Sequence, residues 1–163
     1  MKAVDLLFKD SDFSMTFIQP TMSINEYLNQ FSFSELANVY STLVNDQLQE
    51  SRIDLSLPKF ELKFKKVISG DLQSMGMVRA FQEANAQLDN LGQAGGNLFI
   101  SRVIHDTFLK IDEKGAEGAA VTAVGVGVES VPPPFVIDNP FIIVLRHIDT
   151  NVPIFIGKIM DPS

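Results

Sequence analysis

The side chains that most often perform catalysis are scarce in this sequence and poorly spaced for that purpose. No cysteine is present, which excludes thiolate nucleophiles, disulfides and cysteine-ligated zinc. The two histidines, His105 and His147, stand too far apart to form a metal-binding motif. Neighbouring acids such as Asp112 and Glu113 lie in turn-like segments, where carboxylates are usually solvated. The sequence therefore predicts neither an enzyme nor a resident metal or cofactor.

Phosphate-binding chemistry is equally poorly supported. The stretch "GVGVES" (125–130) lacks the third glycine and the following helix of a dinucleotide-binding fingerprint, and "GAEGAAVT" (115–122) lacks the lysine of a phosphate loop. The net charge of −7 argues against a nucleic-acid partner. Four lysines cluster along one predicted strand: Lys59, Lys63, Lys65 and Lys66. Because the wet face of a strand is routinely charged, we expect no glycosaminoglycan site there.

The amino-terminal residues do not resemble a targeting signal. Asp5 and Asp10 interrupt the apolar run well short of a signal-peptide core. No apolar run in the chain reaches membrane-spanning length, so we expect no membrane partner. Because the first residues already look like a strand, we expect the chain to have been cut from something longer.

The segment 115–134 is made almost entirely of small residues and ends in three prolines. Its alternate positions from Ala116 to Val128 carry only small or β-branched uncharged side chains, as a strand buried in a sheet requires. Its glycines and prolines equally suit an exposed loop. Three interpretations stay open on composition alone: a flexible linker, an ordinary edge strand, and a loop that can become a strand.

The elements around this segment predict a single α+β domain with mixed and antiparallel sheets and a few helices. Residues 1–20 predict a strand hairpin that ends at Pro20. Residues 23–48 predict two helices, the first with the capping-box spacing of Ser23 and Glu26 and the second capped by Ser34.

The second half of the chain predicts mostly strands. Residues 52–67 alternate apolar and charged side chains on either side of a bend at Pro58. Residues 98–112 predict one long strand, and 135–160 a buried carboxy-terminal hairpin. A content of 45% hydrophobic residues is enough for a folded core.

Several segments together resemble the serpin family. "IDEKGAEGAAVTAVGVGVES", "FVIDNPFIIVLRH" and "PIFIGKIMDP" resemble the hinge, reactive loop and carboxy-terminal strands of a serpin. "SLPKFELK", "LQSMGMVRAF" and "NLFISRVIHDTFLKIDEKG" resemble other segments of the family in the same order. The resemblance runs over 1–163, with Asn139 as a departure where a basic residue or Gln is more usual. It implies a serpin-like fold whose amino-terminal half is absent.

The resemblance implies a function for 113–134 as the hinge and reactive loop. In the family this loop baits a serine protease, forms an acyl-enzyme and inserts into a β-sheet, which distorts the protease. Counting from the hinge places the scissile bond at Glu129–Ser130, although cleavage after Val128 stays open. Glu129 implies a protease that prefers acidic residues; the alternative is a charge that only keeps the loop soluble.

The resemblance also implies roles for the residues at the base of the loop. The implied hinge positions are Glu113, Gly115, Ala116, Gly118, Ala119, Ala120 and Thr122. Lys59 matches a family partner for the Glu113 carboxylate at the entry point for insertion, although a surface pair is worth only about 0–1 kcal/mol. His105 matches a buried family histidine beneath the opening strands, whose partners lie in the absent half.

The absent half leaves two hypotheses. The first is a serpin-type suicide inhibitor represented by its carboxy-terminal part; the second is a truncated, non-inhibitory product with a binding or structural role, or with no activity. Because strands beside the insertion gap are missing, we expect that the chain alone does not trap proteases and that its open strand edges favour self-association. The resemblance implies an extracellular location, and a cytoplasmic one stays open.

Overall fold

The computed structural model describes residues 1–9, 12–47, 53–92, 98–112, 115–116 and 133–161. The chain divides into two compact units, each described by itself. The first unit contains Met1–Phe60 and Lys110–Ser163, and the second contains Glu61–Leu109.

Strands outnumber helices along the described chain. In order, the strands are β1 (Lys2–Leu7), β2 (Phe13–Gln19), β3 (Asp54–Ser56), β4 (Phe60–Val67), β5 (Ile104–Asp112), β6 (Gly115–Ala116), β7 (Pro134–Val136), β8 (Phe141–His147) and β9 (Pro153–Ile159). The helices are α1 (Ile24–Gln30), α2 (Phe33–Gln47) and α3 (Ser69–Ser74), with 3-10 turns at Arg79–Phe81 and Asp89–Leu91. The predicted α+β class with mixed sheets and few helices is confirmed.

The first unit is built on an antiparallel sheet with the strand order β1-β2-β8-β9. Two hairpins, one from each end of the chain, join where β2 pairs with β8, for example at Phe17 and Ile143. Both faces of β8 are buried, and its residues Phe141–Val144 are fully inaccessible. A strand covered on both faces has no polar side, which accounts for its continuous apolar run.

Helices α1 and α2 cover one face of this sheet. Ile142 and Val144 of β8 pack there into one core cluster with helix residues such as Leu36 and Tyr40. On the other face the Phe141 ring packs against the ring of Phe17 at 5.9 Å and that of Phe60 at 5.7 Å.

The last strand differs from its prediction as half of a buried hairpin. β9 alternates, with Ile154 57% and Ile156 48% exposed. The physical reason is position, since β9 lies at the end of the described strand order and has a neighbour on one side only.

Sequence signals at the helix starts are partly correct. The predicted capping box is present: the Glu26 N–H donates to Ser23 Oγ at 3.3 Å, and the Ser23 N–H donates to Glu26 Oε2 at 3.1 Å. Hydrogen bonds from Ser23 lower the pKa of the Glu26 carboxyl. The cap predicted at Ser34 is wrong, because the Glu35 N–H donates to Ser32 Oγ at 3.2 Å and α2 begins at Phe33.

A buried ion pair crosses the sheet beneath α2. An Arg146 Nη2 donates to Asp5 Oδ2 at 2.6 Å, and both side chains are at most 5% exposed. The Thr16 hydroxyl donates to the other carboxylate oxygen at 2.7 Å, and Arg146 Nη1 donates to Asn151 Oδ1 at 2.6 Å. The Tyr40 ring lies 4.1 Å from the guanidinium carbon. Burial raises the pKa of the Tyr40 phenol to about 12, so the ring carries its hydroxyl proton at neutral pH.

The second unit has little interior. Lys65 and Asp106 form an exposed ion pair at 2.9 Å, and the Lys63 ammonium lies 5.6 Å from the Phe108 ring. None of its described residues, 61–92 and 98–109, is buried. The long strand predicted at 98–112 is too long: β5 begins at Ile104, since the chain before it instead bonds back to the start of α3, with the Val103 N–H donating to Ser69 Oγ at 2.9 Å.

We expect Gly157→Ala to destabilise the first unit by about 1–3 kcal/mol, the usual cost of overpacking a filled core. A Cβ at this position would lie 2.9 Å from Ile143 Cγ1 and 3.0 Å from Phe155 Cε1. Ile143 is fully buried and has little room to move aside. The control is Gly70→Ala in α3, where an added Cβ would have no described atom within 4 Å beyond its chain neighbours and the backbone of its own helix. Urea unfolding of both variants checks the expectation, and equal midpoints would contradict it.

We expect Arg146→Met to cost about 3–5 kcal/mol of unfolding free energy, because it leaves the buried Asp5 carboxylate without its cation. The matched control is Lys65→Met, which breaks a pair whose side chains are 69% and 61% exposed. That change should cost less than about 1 kcal/mol. Chemical denaturation measures both, and a similar small loss in the two variants would show that the buried pair does not hold the sheet.

Candidate functional site

The small-residue segment begins as a strand. The last residues of β5 pair antiparallel with β6, Ile111 opposite Ala116 and Asp112 opposite Gly115. Ile111 is 8% exposed, so this pairing starts at the edge of the core of the first unit. The chain therefore reverses direction between β5 and β6.

The segment is also anchored where it ends. β7 pairs parallel with β3, with Leu55 opposite Phe135. The Asp54 N–H donates to the Pro133 carbonyl at 3.1 Å, and the Ile137 N–H donates to the Ser56 carbonyl at 3.0 Å. These bonds use the carbonyl of a proline and the amide beyond the proline run, so the prolines do not interrupt them. Residues 117–132 thus run between two hydrogen-bonded anchors, both in the first unit.

Most of the predicted site residues fall between these anchors. Gly115 and Ala116 form β6. The other hinge positions, Glu113, Gly118, Ala119, Ala120 and Thr122, and the bond Glu129–Ser130 lie outside the described residues. Their roles stay predictions.

Lys59 lies just before β4, with an exposed side chain. Its proposed partner, Glu113, falls outside the part of the chain that the structure describes, so this ion pair also stays a prediction.

His105 is exposed on β5, and its ring meets the Phe64 ring edge to face at 6.0 Å. The burial implied by the resemblance is therefore absent in this chain. The physical reason is that, among the described residues of the second unit, none covers this part of β5 deeply enough to bury it. His147, predicted as a turn residue, is instead the last residue of β8, paired with Phe13 directly before the turn, and its Nδ1 lies 3.0 Å from the Thr150 hydroxyl.

The β3–β7 anchor was not predicted from sequence. Alternation in 53–57 and the apolar residues after the prolines indicated two strands, but a parallel pairing between segments so far apart leaves no local signal.

Two further observations concern metal binding and membrane insertion. Within the described ranges, no three His, Cys, Asp or Glu side chains gather closely enough to hold a metal ion. No described helix is both long and apolar enough to cross a membrane.

The sequence model of the family described as "Serpin (serine protease inhibitor)" matches residues 1–162. The chain belongs to the serpin family. By its description, this is a family of serine protease inhibitors.

Curated relatives extend over nearly all of this serpin chain. An "Uncharacterized serpin-like protein" of the archaeon Methanosarcina mazei is 32% identical over 99% of the chain, which covers 38% of that protein. Human "Serpin B10" is 31% identical over 98% of the chain and 40% of its own length. "Intracellular coagulation inhibitor 1" of Tachypleus tridentatus is 30% identical over 96% of the chain and 37% of its own length. The chain thus spans well under half of the relatives that it matches.

Solved structures agree on the fold. The thermophilic serpin Tengpin in its native state has a TM-score of 0.67 and 28% identity, covering 98% of this chain and 45% of that one. Native protease nexin-1 with heparin has a TM-score of 0.71 and 22% identity, covering 98% and 41%. The second likeness concerns the fold alone. The described architecture is therefore a partial serpin fold.

Proposed function

We propose that this chain carries the bait loop and hinge of a serpin-type suicide inhibitor of serine proteases. The hydroxyl of a protease's catalytic serine would attack the carbonyl carbon of Glu129. The peptide bond to Ser130 would break, Ser130 would leave as a new amino terminus, and Glu129 would stay esterified to the enzyme. The hinge would then extend β6 along β5 and carry the protease with it.

The antiparallel start of β6 on β5 is the observation that supports this proposal. In an antiparallel pair each step forward on one strand is a step back on its neighbour. Continuing the same register would set Gly118 opposite Leu109 and Thr122 opposite His105. It would also set Glu117 opposite Lys110, a pair of opposite charge on the other face.

The side chains of the hinge fit such an extension. Cross-strand partners share a face, so Gly118, Ala120 and Thr122 would lie on the face of β5 that Ile111 occupies. Small side chains at these positions can enter the sheet without steric clashes against the side chains of neighbouring strands. Each ladder hydrogen bond contributes about 0.5–1.5 kcal/mol net, so about ten of them could drive a large rearrangement.

A truncated, non-inhibitory product is the second candidate. The observation that favours it is the second unit, in which no described residue is buried and large apolar side chains such as Phe64 and Phe108 are 45% and 51% exposed. A partial fold of this kind would present bait without a complete sheet to receive it. It would also favour self-association through open strand edges.

For the inhibitor, an extracellular serine protease is the proposed partner, and a cytoplasmic serine protease is the alternative.

The first test is cleavage at the proposed bond. We expect a Glu-preferring serine protease to release the fragment 130–163, and Glu129→Ala to abolish that release because the acidic side chain is lost. The matched control is Glu117→Ala, which removes another acidic side chain of the segment and should leave cleavage unchanged. Intact-mass spectrometry locates the bond, and release that persists in Glu129→Ala would contradict the assignment.

The same reaction separates the two candidates. On a denaturing gel, an adduct that survives denaturation would mean that the chain traps the protease by itself. Cleavage with no adduct, the result we expect from the incomplete sheet, would mean that the bait is present and the trap is not.

The second test is a proline scan of 119–122. A proline whose missing N–H points toward β5 removes a ladder bond, whereas one whose N–H points away is tolerated at an edge strand. If the hinge pairs with β5 after cleavage, the amides of β5 become better protected from exchange. We therefore expect the prolines at every second position of 119–122 to abolish this gain in protection, and the prolines at the positions between them to leave it unchanged. Hydrogen exchange read by mass spectrometry measures this protection. Equal effects at all four positions would show that the hinge does not pair with β5.

A further inference from the structure

A pocket opens in the first unit beside α1 and the start of α2, among residues that belong neither to the hinge nor to the bait. Its volume is about 280 Å³. Pockets for drug-sized ligands usually measure about 300–1,000 Å³, so this one suits a smaller molecule. Most of its wall comes from four apolar side chains and two polar ones, which are Met1, Pro20, Met22, Tyr27, Gln30 and Glu35.

Glu35 carries the one charged side chain among the described residues that line the pocket. It lies half-buried in the first turn of α2, where the helix favours a negative side chain. Within the described ranges, no cationic group forms an ion pair with its carboxylate. Lys2, next to Met1 in the chain, donates instead to the Val136 carbonyl at 3.2 Å. The pocket therefore offers a carboxylate that can still accept a cation.

Tyr27 of α1 forms the aromatic part of the wall. It is 6% exposed, and its hydroxyl donates to Met1 Sδ at 3.7 Å. Burial, and after it the negative charge of Glu35, raises the pKa of the Tyr27 phenol. The ring is therefore neutral at physiological pH, and the charge of Glu35 acts across the pocket. A carboxylate and a neutral aromatic ring are the two groups that most strongly attract organic cations.

The end of α1 adds partial negative charge to the same wall. Gln30 is the last residue of α1, and the last turn of this helix carries no basic side chain. Carbonyl groups at the carboxy-terminal end of a helix attract cations. The amide oxygen of the Gln30 side chain can also accept an N–H bond.

We propose that this pocket binds a small organic cation, a protonated amine carried on a compact apolar body. The ammonium group pairs with the Glu35 carboxylate, and the apolar body contacts Met22 and Tyr27. An anion would meet the charge of Glu35 with no compensating cation, and a neutral molecule would lack the ion pair. This inference does not depend on the function of the loop.

The test compares three probes of one shape and different charge: benzylammonium, benzyl alcohol and benzoate. Binding is followed by NMR of the full chain labelled with ¹³C at its methionine methyl groups. Met1 and Met22 line the pocket, whereas Met75 and Met77 belong to the second unit. We expect benzylammonium to shift the first two signals and not the other two, and to bind about 5-fold more tightly than benzyl alcohol. Benzoate should shift none of the four.

A matched pair of variants assigns the preference to Glu35. Glu35→Gln keeps the shape of the side chain and removes its charge, so the variant should bind benzylammonium and benzyl alcohol equally. The control is Glu83→Gln, which removes an exposed carboxylate of the second unit and should retain the preference.

Three results would overturn the proposal: equal affinities for the three probes in the parent chain, no shift at Met1 and Met22, or a preference that persists in Glu35→Gln. The probe series on the parent chain decides the first two even where Glu35→Gln fails to fold.

Discussion

The pairing of β2 with β8 is the contact on which the rest of the first unit depends. It joins a hairpin from one end of the chain to a hairpin from the other, from Phe13 opposite His147 to Ile18 opposite Ile142. The core cluster beneath α1 and α2 depends on this pairing, because three of its eight buried residues, Ile18, Ile142 and Val144, come from these two strands. The Asp5–Arg146 pair depends on the same contact, since it reaches from β1 across β2 to β8. Hydrophobic burial thus supplies most of the free energy that holds the two hairpins together. The buried charges favour one arrangement of the strands, because each of them has few alternative partners.

The two anchors of the small-residue segment depend on this sheet in turn. Ile111, at the first anchor, is buried in the unit that the sheet organises, and Phe135, at the second, lies on β7, which a short segment, 137–140, connects to β8. A segment held at both ends by backbone hydrogen bonds needs few large side chains of its own. Under the proposed function, the segment must suit both exposure to solvent and entry into a sheet, and the recurring alanine, glycine and valine residues are compatible with both.

A sequence signal predicts structure well where the interaction behind it joins near neighbours in the chain, and poorly where that interaction is long in range. The capping box of Ser23 and Glu26 is a contact between near neighbours, and it is present. The cap at Ser34 failed because Ser32 offers the same chemistry two residues earlier, and only the path of the chain into α2 selects between them. The alternation of β9 was misjudged because its apolar residues match those of β8, while its position in the strand order leaves one side without a neighbour. His105 lies in an apolar segment typical of a core, yet burial requires chain on both faces, and the described residues of its unit do not supply it.

The sequence by itself determined the family and the α+β class, because these depend on residue types in a fixed order along the chain. Only the tertiary structure decided which strands are neighbours, how the two ends of the loop are held, and that Asp5, Tyr40 and Arg146 meet beneath α2. The physical reason is that these contacts join residues far apart in the chain. These contacts form only when distant strands pair and water is excluded from between them, and no short stretch of residues determines either event.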